Sequence, residues 1–299
     1  MDFWPDGHSE FTPNVPTVLK QRGFVPASCC DAAAILDVSG SDASIDGWLD
    51  CLGKPSVRKL IRRIVQGPGA ARRSLQPICA EPRLSEHLQL LQDLGILTCD
   101  NETVRATKTI DNFGPTLEWY VSKVISREFE AASCWSVQVE HIYGGGDFDV
   151  LSWMDSQGTL VYVECKSASP ESVSNGEIRH FLQRCQELGP EVAIMLVDTD
   201  STLCPLLDRI QDILLPLQRL ASGIRDEDWR PDRPFIAPIP HRDYTGLYFG
   251  LHRVFVTGSE PSITTQLRKC LRYYSSWVRH LTFYSPVRTD YIRGVLMVN

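Results

Sequence analysis

Between Gly114 and Val197 the apolar pattern of the chain switches period three times, and few folds accommodate that order. Gly114-Pro115 opens a helical stretch to about Glu130, with Leu117, Val121, Val124 and Ile125 on one face and a proline suited to the first turn. Strand-like runs follow at residues 135–143, 148–153 and 160–165, separated by Gly144-Gly-Gly146 and Ser156-Gln-Gly158. A second helix over residues 176–188 carries Ile178, Phe181, Leu182, Cys185 and Leu188 on its apolar side. The run Val192-Ala-Ile-Met-Leu-Val197 then has the form of a strand buried on both faces. Helix, three strands, helix, strand: the expected fold class is α/β with a mixed central sheet.

The charges fall at particular places in this pattern. Glu118 is expected in the first turn of the opening helix, Asp149 at the start of the second strand, and Glu164 and Lys166 at the end of the third. Side chains alternate faces along a strand, so Glu164 and Lys166 share one face while Val163 and Cys165 take the other. Two carboxylates about 4 Å apart repel by roughly 4 kcal/mol at an effective dielectric near 20, unless a cation or proton lies between them. Mg²⁺ relieves that repulsion with oxygen ligands at about 2.1 Å and retains waters that phosphate oxygens can replace. Asp149, Glu164 and the Cys165 backbone carbonyl could hold such an ion. Lys166 would then orient or deprotonate an attacking water or stabilise the phosphorane, a division of labour suited to phosphodiester hydrolysis. The plain alternative is a surface ion pair at a sheet end, although strands disfavour aspartate.

On these residues the chain resembles the PD-(D/E)XK, or restriction-endonuclease-like, nucleases. Asp149 followed after fourteen residues by Glu164-Cys165-Lys166 matches the core motif, and Glu118 matches the acid of the first helix. Phe-Asp-Val-Leu and Val-Tyr-Val-Glu-Cys-Lys are similar to segments of Mrr-like restriction nucleases and archaeal Holliday-junction resolvases. Phe148 stands where the family name has proline. The resemblance covers residues 112–200 and implies an αβββαβ core and Mg²⁺ or Mn²⁺ as cofactor. It further implies Asp149 and Glu164 as metal ligands, Lys166 as catalytic lysine, and Glu118 as a catalytic, metal-tuning acid. It also implies a nucleic-acid partner, DNA before RNA or branched DNA, in restriction, defence or repair, and leaves a homodimer open.

The flanks divide into further segments. Residues 1–53 form an acidic N-terminal segment, with Asp2, Asp6, Glu10, Asp31, Asp37, Asp42, Asp46 and Asp50 against Lys20 and Arg22. Residues 54–110 read as a helix behind Ser56, a second helix striped by Leu84, Leu88, Leu91 and Leu94, and a hairpin around Cys99-Asp-Asn-Glu. That order resembles a winged helix. It carries Lys54, Arg58, Lys59, Arg62, Arg63, Arg72 and Arg73 and no acid before residue 81, so phosphate contacts are expected from Arg58, Arg62, Arg63, Arg72 and Arg73. Among His180, Gln183 and Arg184 on the second core helix, Gln183 is the preferred polar contact to metal or phosphate, against the simpler reading of a solvated face. The core is set at residues 111–200. Residues 201–299 make a C-terminal α+β extension with a helix from about 262 to 281, whose Tyr273, Tyr274 and Trp277 read as packing.

Composition narrows the class. With 43% apolar and 22% charged residues the 299-residue chain is too hydrophobic for disorder, and no apolar run nears membrane-spanning length. The start lacks a secretory signal pattern, so a cytoplasmic location without membrane contact is expected. The net charge of −7 does not exclude nucleic acid, because local patches decide polyanion binding. Ten cysteines without a C-x-x-C pair argue against zinc and disulfides and for free thiols in the core. No nucleotide-binding glycine loop, nucleophile elbow or H-E-x-x-H occurs. The competing function is a catalytically inactive regulator that binds nucleic acid or protein through its winged helix.

Overall fold

The computed structural model describes residues 14–36, 42–100, 102–142, 146–210, 212–213, 247–250 and 254–284. The fold is α/β. It divides into two compact units: residues 1–139 with 147–155, and residues 140–146 with 156–299.

The first unit begins with α1 (Val15–Gln21), whose N-terminus is capped by the Asn14 side chain accepting from the Thr17 N–H at 3.0 Å. Strand β1 (Pro26–Ser28) pairs antiparallel with β5 (Ala132–Val139), and β5 pairs antiparallel with β6 (Asp147–Met154). Helix α5 (Gly114–Phe129) packs on β5 and β6 through buried Leu117, Val121, Val124 and Ile125, the face its sequence predicts. The Asn112 side chain accepts from the Gly114 N–H at 2.8 Å, just before the helix. A Cβ on Gly114 would sit 2.8 Å from that same oxygen.

Between β1 and α5 lie α2 (Asp42–Leu52), α3 (Pro55–Val65), β2 (Ala70–Ala71), a 3₁₀ turn (Arg72–Leu75), α4 (Arg83–Asp93), β3 (Leu97–Cys99) and β4 (Thr103–Ala106). The three short strands form an antiparallel sheet ordered β2-β4-β3, against which α3 and α4 pack. The β3–β4 hairpin is the expected one. Ser56 does not cap α3, which starts one residue earlier; its hydroxyl meets the His87 ring at 3.0 Å instead.

The second unit contains β7 (Thr159–Lys166), α6 (Asn175–Leu188), β8 (Val192–Val197), a helix α7 over residues 204–210, β9 (Leu247–Gly250), β10 (Val254–Thr257) and α8 (Ile263–Tyr284). Strands β7, β8 and β10 run parallel and β9 antiparallel, in the order β7-β8-β10-β9, a mixed sheet. Every residue of β8 is buried, as its unbroken apolar run requires. In the C-terminal extension β9 and β10 pair antiparallel, from Val254↔Gly250 to Thr257↔Leu247. Tyr273 of α8 meets Phe255 of β10 edge to face at 6.2 Å, a packing role. The proline-rich connector at 226–240 and the first thirteen residues lie outside the described residues. Among the described residues no helix is long and apolar enough to cross a membrane.

Candidate active site

Strand β7 delivers its two charged residues to one place. Its register with β8 runs in phase from Val161↔Val192 to Lys166↔Val197, and the Asp198 N–H donates to the Lys166 carbonyl at 2.7 Å. Lys166 therefore ends β7 at the carboxyl edge of a parallel pair, where α/β sheets bind their ligands. The Lys166 ammonium lies 3.0 Å from Glu164 Oε1, which confirms that the two residues share a face.

Glu164 is only 1% exposed, so this is not a surface ion pair. Taking a carboxylate out of water costs several kcal/mol unless donors replace the solvent. Three side chains do so. Arg184 Nη2 donates to both Glu164 oxygens, at 2.9 and 3.0 Å; Lys166 donates to Oε1; and the Tyr162 hydroxyl donates to Oε2. Tyr162 is itself held by ring packing on Phe181 of α6, with centroids 5.5 Å apart. The carboxylate is thus locked in one orientation from two elements.

Helix α6 supplies the remaining acid through its N-terminus. Ser174-Asn-Gly-Glu177 is a capping box: the Ser174 hydroxyl accepts from the Glu177 N–H, and Glu177 Oε2 accepts from the Ser174 N–H at 2.8 Å. The other oxygen, Oε1, lies 3.1 Å from Lys166 Nζ. Burial works against the Glu177 carboxylate, but Ser174 and Lys166 outweigh it and hold the carboxyl below its ordinary range. The cluster of Glu164, Glu177, Lys166 and Arg184 carries two charges of each sign.

Sequence reasoning missed Glu177, Arg184 and Tyr162 as members of this cluster, and it preferred the wrong polar residue of α6. Gln183 is exposed and bonds to Glu187 at 2.9 Å on the outer face. Arg184 lies two helical turns from Glu177 and along the stripe of Ile178, Phe181 and Leu188 that faces the sheet. The capping-box spacing and that stripe are the signals that identify both residues.

Asp149 and Glu118 belong to the first unit. Asp149 is half-buried on β6, where the ladder to β5 skips from Trp135↔Val150 to Val137↔Phe148 and Ser136 takes a φ of 49°. Glu118 is half-buried on α5. It lies just past the first helical turn expected for it, and that turn carries no acid.

The basic run 54–73 is also sorted. Arg58 is fully buried and cannot reach phosphate: its guanidinium donates at 2.6 Å to the carbonyl of Leu52, the last residue of α2. Arg62 is half-buried with its guanidinium 6.0 Å from the Phe113 ring centroid, and Arg72 bonds to Glu81 and Ser85. Arg63 and Arg73 are exposed, as is Lys54.

The reading of the cysteines as free core thiols holds in part, since Cys29, Cys30, Cys99 and Cys185 are half-buried and Cys204 is exposed. All ten are free, but Cys29 and Cys30, just after β1, meet Cys134 of β5. The Cys30 thiol is lowered to about 4 by hydrogen bonds from Cys134 and Cys29 and by the Lys123 ammonium, while Cys134 is pushed up by the same two neighbours and by burial.

A divalent hard ion, as the family resemblance implies, can be tested against these groups. The donors on β7 are of the right kind, a carboxylate and the Cys165 carbonyl. Both Glu164 oxygens already accept two hydrogen bonds each, so a metal there requires Lys166 to release Oε1. Glu177, already 3.1 Å from the ammonium, keeps Lys166 paired when it does. The residues present fit the ion on that condition.

No family model and no curated protein matches the chain. Among solved structures, protein VC1899 from Vibrio cholerae is similar over 93% of this chain, at 14% identity and a TM-score of 0.44. The chain spans 65% of the length of that protein.

Proposed function

We propose that the chain is a metal-dependent nuclease of the PD-(D/E)XK kind that hydrolyses phosphodiester bonds in DNA. The observation that carries this reading is the buried Glu164, held by Arg184 and Tyr162 and joined to Lys166 at the carboxyl end of β7. Replacing such a cluster by apolar residues would be neutral or favourable for stability, so a fold has little structural reason to build one. Buried charges of this kind concentrate at functional sites.

In this reading Glu164 and the Cys165 carbonyl would supply oxygens to Mg²⁺ or Mn²⁺; Asp149 and Glu118 keep the roles that the sequence motif implies for them. The ion would polarise the scissile phosphate and neutralise its charge. Arg184 and Tyr162 are positioning residues that fix the Glu164 carboxylate. Lys166, poised between Glu164 and Glu177, holds the attacking water or the charge developing on phosphorus. The helices and hairpin of residues 54–110 act as a winged-helix module, with exposed Lys54, Arg63 and Arg73 contacting the DNA backbone.

The saturated Glu164 carboxylate favours a second reading, in which the cluster is a permanent ion-pair network and the chain binds nucleic acid or protein without cutting. One assay separates them: incubation with linear, supercoiled, single-stranded and junction DNA and with RNA, in Mg²⁺, Mn²⁺ or EDTA. Cutting that needs the metal and falls at least about a hundredfold in Lys166→Ala supports the nuclease. Binding without cutting on every substrate supports the second reading, and cutting of RNA or junctions alone changes the substrate class.

A further inference from the structure

The segment after β1 and the strand β5 bring three sulfurs together. The Sγ atoms of Cys29, Cys30 and Cys134 all lie within 4.8 Å of one another. Cys134 is buried on β5, and Cys29 and Cys30 are partly exposed. The approach is fixed by the backbone: the Cys30 N–H donates to the Trp135 carbonyl at 2.9 Å, next to Cys134, and Cys30 takes a left-handed φ of 61°.

Sulfurs packed against one another are poor hydrogen-bonding neighbours, since S–H is a weak donor and sulfur a weak acceptor. They form a good ligand set for a different kind of ion from the one proposed above. Thiolates select soft or borderline ions such as Zn²⁺ and Cu⁺ and reject Mg²⁺ and Ca²⁺. A Zn–S length of about 2.3 Å puts sulfurs of a tetrahedral site about 3.8 Å apart, so the trio needs to contract by at most about 1 Å. The buried Cys134 provides the floor of the site and the partly exposed pair its entrance. Lys123, which acts electrostatically on Cys30 and lies 5.9 Å from the Trp135 ring centroid, offsets the negative charge that three thiolates leave on a bound Zn²⁺.

We propose that Cys29, Cys30 and Cys134 form a binding site for a thiophilic ion, Zn²⁺ in the first instance, that clips the segment after β1 onto β5. Binding replaces thiol protons by Zn–S bonds and releases the protons to solvent, with no change in oxidation state. Three protein ligands leave a fourth position for water or an added thiol. The site is independent of the nuclease reading.

The test uses the full chain, purified under reducing conditions, stripped of metal and titrated with Co²⁺ and then Zn²⁺. One ion per chain is expected, with a near-ultraviolet sulfur-to-cobalt charge-transfer band that Zn²⁺ bleaches and a melting temperature that rises with Zn²⁺. The Cys29→Ser/Cys30→Ser double variant, altered only at partly exposed positions, is expected to lose the band and the rise. Cys204→Ser, which removes an exposed thiol outside the trio, is expected to keep both. Absence of the band in the parent chain overturns the proposal, as does its persistence in the double variant or its loss in Cys204→Ser. An intact mass showing that two of the trio are joined as a disulfide in the reduced preparation overturns it as well.

Discussion

The carboxylate cluster of the second unit and the thiol cluster of the first place reactive groups side by side, but balance them differently. Around Glu164 every charge is met inside the protein: Arg184, Lys166 and the Tyr162 hydroxyl saturate it, and Glu177 meets Lys166 in turn. Around Cys134 the partners are two more sulfurs, one of which, Cys30, is drawn toward the thiolate by its neighbours and by Lys123. The first arrangement is a charge network that the fold must assemble whether or not it meets a ligand. The second leaves its strongest interaction to be made with something from outside.

That contrast is open to direct attack. The largest effect is expected at Glu164→Ala, which removes the buried carboxylate that both Arg184 and Lys166 meet. It should cost about 3–5 kcal/mol of unfolding free energy in urea. Cys134→Ser in metal-free protein should cost about 1 kcal/mol, the loss of weak contacts only. Equal costs would end the distinction between the clusters. Tyr162→Phe comes next, at about 1.5 kcal/mol for one hydrogen bond to a buried charge. A cost near zero would show that the hydroxyl does not hold the carboxylate.

The smallest effect concerns acid. The Glu177 carboxyl is held below its ordinary value of 4.5, so the stability it contributes is complete above about that pH and is lost as pH falls through the lowered value. The parent chain should therefore melt above Glu177→Gln at neutral pH, and the gap should close on the acid side. A gap that stays constant down to pH 3 would place Glu177 outside the network.

What the sequence reveals follows from how local each signal is. Strand alternation over four residues puts Glu164 and Lys166 on one face, and the order of periodic segments places the helices and strands around them. The continuous run Val192–Val197 identifies β8 in the same way. Arg58 is misread for the opposite reason. Its neighbours Lys59, Arg62 and Arg63 suggest a wet face, but its partner is a carbonyl at the end of the preceding helix. The thiol site is hidden more deeply, because the Cys29–Cys30 pair finds its third sulfur only when β1 pairs with β5. Cysteine spacing along the chain carries no trace of that pairing.

The capping box of α6 has a consequence for how this protein can change. One carboxylate, Glu177, both fastens the start of a helix and steadies the ammonium of Lys166. A deletion or insertion between Ser174 and Glu177 therefore unravels the first turn and removes one of the two carboxylates that Lys166 meets in a single event. The start of the helix and the place of the lysine both depend on the three steps between serine and glutamate.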